Sequence, residues 1–238
     1  MLRATTGQGV TKGPDRTNPY VDPETGAHYN RLGIVDPERL RQVEYMVSNV
    51  RVAELQVHPI RGNFDLAHLQ QIHTHIFGDV YEWAGKVRSV NMSKRDPIAP
   101  DDWKSVFAPT GKISAIAGEL SRELEQWNHL KGLDCDRFAA AMAVVFTKLN
   151  YMHPFAEGNG RATQVFMRQL ALEAGYDLNF GRVSAERWNA AAARSMPQQS
   201  TRDAEQWRQP DRTQVSTVFR DVLVQARERG DIDPAISR

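Results

Sequence analysis

Cysteine is almost absent from this chain. Cys135 is the only one in 238 residues, so no internal disulfide can form and the composition fits a reducing compartment. A long apolar run is missing too: the longest, from Phe138 to Phe146, is far too short to cross a bilayer. Neither sign of charge dominates. With 30 Lys and Arg against 29 Asp and Glu, the net charge of +1 gives no case for direct nucleic-acid binding or for an acidic surface as partner. Met1-Leu2-Arg3 runs on into Thr and Gly rather than an apolar stretch, so no signal peptide is expected. No internal repeat is visible. These absences predict a soluble, cytoplasmic protein with no membrane partner, and leave open export by a route that needs no cleaved apolar signal.

What is present suits one sizeable globular domain with a tail: 41% of residues are hydrophobic and 25% charged. Residues 1–19 are rich in Gly, Thr, Gln and Lys and read as a disordered lead-in. Asp36 and Pro37 signal a helix N-cap and first turn, and that helix should run to about Leu55. Asp65 opens another, with Leu66, Leu69, Ile72 and Ile76 at helical spacing. Between Gly85 and Pro100 the helical period stops and turn formers flank β-type residues, which predicts a short hairpin. Helices follow over 110–129 and from Asp134. In the latter, Phe138, Ala141, Met142, Val145, Phe146 and Leu149 line one stripe, as in a buried central helix. Further helices are expected over 161–174, from Ser184 to Met196 and over 213–229, with 197–211 as a loop. The fold class is all-α with one small hairpin.

The densest chemistry lies in HPFAEGNGRATQ, residues 153–164, just after the apolar helix. For His153, the unperturbed histidine pKa near 6.5 suits a general base at neutral pH. Phe155 is placed to plug the turn into the core. Glu157 is a hard oxygen ligand of the kind Mg²⁺ takes beside phosphates. Gly158, Asn159 and Gly160 lead into a helix whose first N–H groups lack partners, an anion site that the glycines let a phosphate approach. Arg161 adds a fork of donors for phosphate oxygens. Each residue also has a bland reading. A lone Gly-Asn-Gly is a common tight turn, and a histidine at a helix end is more often structural than catalytic. His153 and Glu157 would make a zinc pair only on a continuous helix, which Pro154 and Gly158 oppose. His68, His73 and His75 read as surface or core histidines. A base, a metal ligand, a phosphate cradle and a cation in one short run favour phosphate transfer.

HPFAEGNGR resembles the signature of the Fic family, His-Pro-Phe-x-(Asp/Glu)-Gly-Asn-Gly-Arg-x-x-Arg. YEWAGKVRSVNMSK (81–94) is similar to that family's flap region, and YVDPETGAHYNRLGI (20–34) to its N-terminal lead-in. The resemblance covers residues 20–196 as a Fic domain and leaves 197–238 as linker and C-terminal helix. It implies a compact helical core with a β-hairpin flap, and transfer of AMP from ATP to a Tyr, Thr or Ser hydroxyl of a target protein. By the resemblance His153 is the base and Glu157 holds Mg²⁺. Phe155, Gly158, Asn159, Gly160, Arg161 and position 164 then form the nucleotide site, with Asn159 and Arg161 assisting catalysis. The flap residues Val87, Arg88, Ser89, Val90, Asn91, Met92, Ser93 and Lys94 would pair with an extended target segment.

One position departs from the signature. Its second arginine, which in the family grips the γ-phosphate and receives an inhibitory glutamate, is Gln164 here. Arg168 lies one turn further on the same helix face, about 6 Å along the axis, as a stand-in or as a plain solvated residue. The family's inhibitory motif is missing as well. Ser121 to Glu125 and Thr201 to Glu205 come nearest, and both are followed by Gln. A separate small antitoxin-like partner is therefore expected if this kind of inhibition operates. The leading reading is a protein adenylyltransferase acting as toxin or effector. Beside it stand transfer from another nucleotide or a diphosphate-linked donor, and a catalytically weak Fic-type module that binds nucleotide or a partner.

Overall fold

A computed structural model describes residues 18–97, 99 and 102–226; the expected lead-in over 1–19 falls almost entirely outside the described residues. Seven α-helices are seen among the described residues. Helix α1 (Pro37–Val57) starts where Asp36 accepts hydrogen bonds from the N–H groups of Glu38 and Arg39. Helix α2 (Leu66–Phe77) is capped in the same way by Asp65, and buries Leu69, Ile72 and Ile76. Helix α3 (Ile113–Gln126) turns Ile113, Ala117, Leu120 and Leu124 inward.

Helix α4 (Cys135–Met152), capped by Asp134, runs through the middle of the core. Its buried stripe of Phe138, Met142, Val145, Phe146 and Leu149 packs against α3, α5 (Asn159–Glu173) and α7 (Thr213–Val222). Helix α6 (Ala185–Arg194), capped by Ser184, packs on α7. There Trp188 and Phe219 meet Phe146 edge-on, with ring centroids 4.9 and 5.8 Å from it. Truncating the fully buried Phe219 to Ala would cost about 3–5 kcal/mol.

The β structure differs from expectation in three places. The hairpin overruns the 85–100 window: β1 (Ser93–Arg95) lies inside it, but its antiparallel partner β2 (Trp103–Val106) lies beyond it, with Ser93 opposite Val106. Prolines at 97 and 100 cannot donate to a ladder, so the return strand begins only at Trp103. The stretch 197–211, read as loop, carries β4 (Gln198–Ser200) and β5 (Trp207–Arg208), which extend the sheet in the order β1-β2-β4-β5. The last helix stops at Val222 instead of 229. Leu223–Gln225 then forms β6 against β3 (Tyr176–Leu178), where β-type side chains find a partner strand. The outcome is a helical core with small antiparallel strands. Among the described residues β1 is an end strand of the four-stranded sheet, and its Lys94 lines a cleft with His153 at the end of α4.

Candidate active site

The turn between α4 and α5 is built by backbone conformations that local chemistry explains. His153 caps α4 in the left-handed region, with φ 42° and ψ 60°. Its carbonyl accepts a 2.7 Å hydrogen bond from Arg88 Nε. Arg88 is 2% exposed, and its Nη atoms also donate to the carbonyls of Val90 (2.7 Å) and Ala108 (2.5 Å). Burial lowers its pKa from the ordinary 12.5. A residue expected to meet the target is therefore an internal strut, joining the flap's base to the backbone of His153.

The His153 ring lies flat on Phe107, with centroids 3.6 Å apart and planes 12° from parallel. Burial, then the nearby Arg88 and Lys94 cations, push its pKa down to about 3. The Asn150 backbone favours the charged ring, but no hydrogen bond of good geometry reaches the buried Nδ1. His153 is thus a neutral imidazole at pH 7. It faces a cleft of about 330 Å³ that Lys94, Phe107, Gly160, Thr163 and Trp188 also line.

Phe155 is fully buried as a plug, its ring 3.8 Å from that of His73; packed there, its side chain supports the turn from beneath instead of lining the nucleotide site that the resemblance implied. His73 in turn organises the motif. Gly85 N–H donates to its Nδ1 at 2.9 Å, so Nε2 carries the proton and donates to the Glu157 carbonyl at 2.9 Å. Burial lowers the His73 pKa to about 4, which keeps that arrangement neutral. Asn159 was expected among the phosphate ligands. Instead its buried amide closes the turn on itself: Oδ1 accepts from Phe155 N–H at 2.9 Å and Nδ2 donates to the Phe155 carbonyl at 2.8 Å.

Gly158, at φ 80°, is the residue before α5, and no side chain caps that helix. The Gly158 N–H is taken by Glu157 Oε1 at 2.9 Å, so the open donors are those of the first helical turn, beside the exposed Gly160. The Glu157 carboxylate is 48% exposed next to this helix start. A single carboxylate beside a phosphate site fits Mg²⁺, which takes one or two protein carboxylates and completes its shell with phosphate and water. Among the described residues no three His, Cys, Asp or Glu side chains gather into a metal cage.

Arg161 sits in the first turn of α5, its Nη2 2.5 Å from Glu44 Oε1 and 4.0 Å from Glu157 Oε1. Gln164 is half-buried and lines a larger cavity of about 790 Å³ together with Arg161, Arg168 and Arg182. Arg168 is half-buried and not free. Its Nε and Nη2 pair with both oxygens of Asp177, at 2.6 and 2.9 Å.

The matching family model, described as Fic/DOC family, covers residues 63–171. The "Protein adenylyltransferase VbhT" of Bartonella schoenbuchensis is 42% identical over 178 residues, 75% of this chain and 36% of its own length. The "Probable protein adenylyltransferase Fic" of Escherichia coli is 33% identical over 73% of this chain and 82% of its own. The chain belongs to the Fic/DOC family. It spans about a third of the first relative's length, and most of the second's. A Fic-family crystal structure, BepC of Bartonella tribocorum with bound AMPPNP, is 27% identical with a TM-score of 0.74 over 87% of this chain and 97% of its own. The N-terminal Fic domain of a Bartonella quintana protein with bound ADP gives 0.75 at 27% identity, over 87% and 95%.

Within this Fic fold the expected flap divides in two. Val87 packs on the core, the Ser89 N–H donates to Tyr20 Oη at 2.8 Å, and Asn91 Oδ1 accepts from Thr110 N–H at 3.0 Å. Val90 and Met92 are half-buried. Of the flap residues, Ser93 and Lys94 lie in β1, both exposed on what is an end strand of the sheet among the described residues, with Arg95 beyond them. Sequence reasoning missed His73, Phe107, Glu44, Ser48 and Tyr81 as parts of the site. Only His73 and Tyr81 lay in stretches that had been singled out, His73 among histidines read as surface or core and Tyr81 at the start of the 81–94 flap stretch.

Proposed function

We propose that this chain is a protein adenylyltransferase that moves AMP from ATP to a Tyr, Thr or Ser hydroxyl of a target protein. The observation that carries the reading is the single cleft onto which both the neutral His153 ring and the uncapped start of α5 open. His153 takes the hydroxyl proton, the oxygen attacks the α-phosphorus, and the bond from that phosphorus to the pyrophosphate oxygen breaks. The first-turn N–H groups at Gly160 and Arg161, with the Arg161 guanidinium, hold the phosphates. Glu157 would hold Mg²⁺, which when bound offsets charge on the phosphate oxygens. The target's extended segment adds to the exposed edge at Ser93 and Lys94, which presents its hydroxyl to His153 through main-chain pairing.

The relatives named protein adenylyltransferases and the Fic structures with bound AMPPNP and ADP support this reading. A separate inhibitory protein belongs to the proposal, acting at the cavity beside Gln164. Among the described residues no helix is long and apolar enough to cross a membrane. A second donor reading has its own support: with Arg168 held by Asp177 and glutamine at 164, a donor with two phosphates loses little relative to ATP.

The test is incubation with labelled ATP, other nucleotides and a cell lysate, read by mass. His153→Ala should remove transfer while leaving nucleotide affinity nearly intact, because a base acts in the chemical step. Transfer at the wild-type rate by that variant would end the assignment.

A further inference from the structure

We infer that Glu44 and Ser48 of α1 are positioning residues for Arg161, aiming its guanidinium at a phosphate beyond the one attacked. The inference rests on the proposed role of Arg161 as a phosphate clamp. A free arginine side chain samples many rotamers, and ordering it on binding opposes affinity. Here the ordering is done in advance. Arg161 Nη2 lies 2.5 Å from Glu44 Oε1, and Nη1 donates to Ser48 Oγ at 2.6 Å. The guanidinium carbon sits 4.6 Å above the centre of the Phe77 ring.

The two anchors are one turn apart on α1, more than a hundred residues before Arg161, so only the packing of α1 on α5 brings them together. Glu44 is 6% exposed, and its second oxygen accepts the Tyr81 hydroxyl at 2.7 Å. Both carboxylate oxygens are therefore satisfied, and swinging Glu44 away would strand a buried charge. Burial and the nearby carboxylate raise the Tyr81 pKa, so its phenol stays a donor. Guanidinium carries five N–H groups. Glu44 and Ser48 account for one each, so the remaining three can take phosphate without breaking the anchors. A lock that competes with the nucleotide predicts the opposite: removing Glu44 would free a cation and tighten binding.

Calorimetric titration of adenosine, AMP, ADP and ATP into the full chain separates these outcomes. Glu44→Gln should weaken ADP and ATP roughly 10-fold, the scale of hydrogen bonds to a charged group. AMP and adenosine should change less than about twofold, since they have no second phosphate for Arg161 to hold. Ser48→Ala should do the same to a smaller degree, and Glu44→Asp should recover part of the loss. Tighter ATP binding by Glu44→Gln would overturn the inference, as would equal losses for all four ligands, the mark of a merely structural role. If Glu44→Gln fails to fold, the same split between AMP and ADP read in Ser48→Ala and Tyr81→Phe decides. Absence of nucleotide binding by the wild type would overturn the functional reading along with this one. Normal binding with an unaltered pattern in the variants would overturn this one alone.

Discussion

Gly158→Ala is the perturbation whose cost the structure fixes most narrowly. Position 158 has φ 80°, where a side chain costs about 1–2 kcal/mol. A Cβ there would also stand 2.3 Å from Phe77 Cε2 and Cζ, against the 3.5–4.0 Å at which carbon atoms rest. Phe77 cannot yield easily. It is fully buried, its ring lies 4.6 Å from that of His73, and the Arg161 guanidinium covers it. Overpacking of that kind costs about 1–3 kcal/mol, so Gly158→Ala should destabilise by about 2–5 kcal/mol. Urea unfolding with an unchanged slope measures it. Adding Phe77→Leu should recover the steric share and leave the backbone strain. Gly160→Ala is the control: nothing lies within 4 Å of its Cβ, and alanine suits a helical first turn. A Gly158→Ala variant within about 0.5 kcal/mol of wild type, or one that Phe77→Leu fails to relieve, would refute the reasoning.

Two further predictions concern charge. Gln164→Arg should widen the preference for ATP over ADP by about 1–3 kcal/mol, because Arg168 is committed to Asp177 and cannot already supply that contact. An unchanged ratio in paired titrations would mean that position 164 does not face the terminal phosphate. His153, with its pKa pushed to about 3, should stay neutral as pH falls from 7 to 5. The sign follows from burial and two cations, which penalise the charged ring, so its basic form persists below the ordinary 6.5. An NMR titration of the free protein, assigned with His153→Ala, checks this, and a midpoint near 6.5 would contradict it.

The helices were legible because their signals are local. Asp36, Asp65, Asp134 and Ser184 each sit within three residues of the N–H groups they cap. The 153–161 motif was legible for a similar reason, since its chemistry is contiguous. Strands β4 and β5 were not. They are two or three residues long: Gln-rich β4 acquires β structure only by pairing with β2, nearly a hundred residues earlier, and β5 only by pairing with β4. Glu44 gave no hint either, because one carboxylate on an amphipathic helix looks like any other until α5 arrives beside it. The roles of Arg88 and Asn159 inverted for a related reason. Arginine and asparagine read as surface and ligand types, while here each spends its donors on buried backbone carbonyls.

The family match ends at residue 171, but the hydrophobic core runs on to Val222. Val215, Val218 and Phe219 of α7 cover the outer stripe of α4, and β4 holds β2 in place beside the flap. A gene fragment cut where the family match stops would carry every motif residue and still fail as a portable unit. Its central helix would be bare along one side, and its hairpin would have lost a neighbour. For recombination, the smallest inheritable piece of this chain is set by what shields α4, not by where the motif lies. Any graft of the activity onto another protein has to bring residues 172–222 along with it.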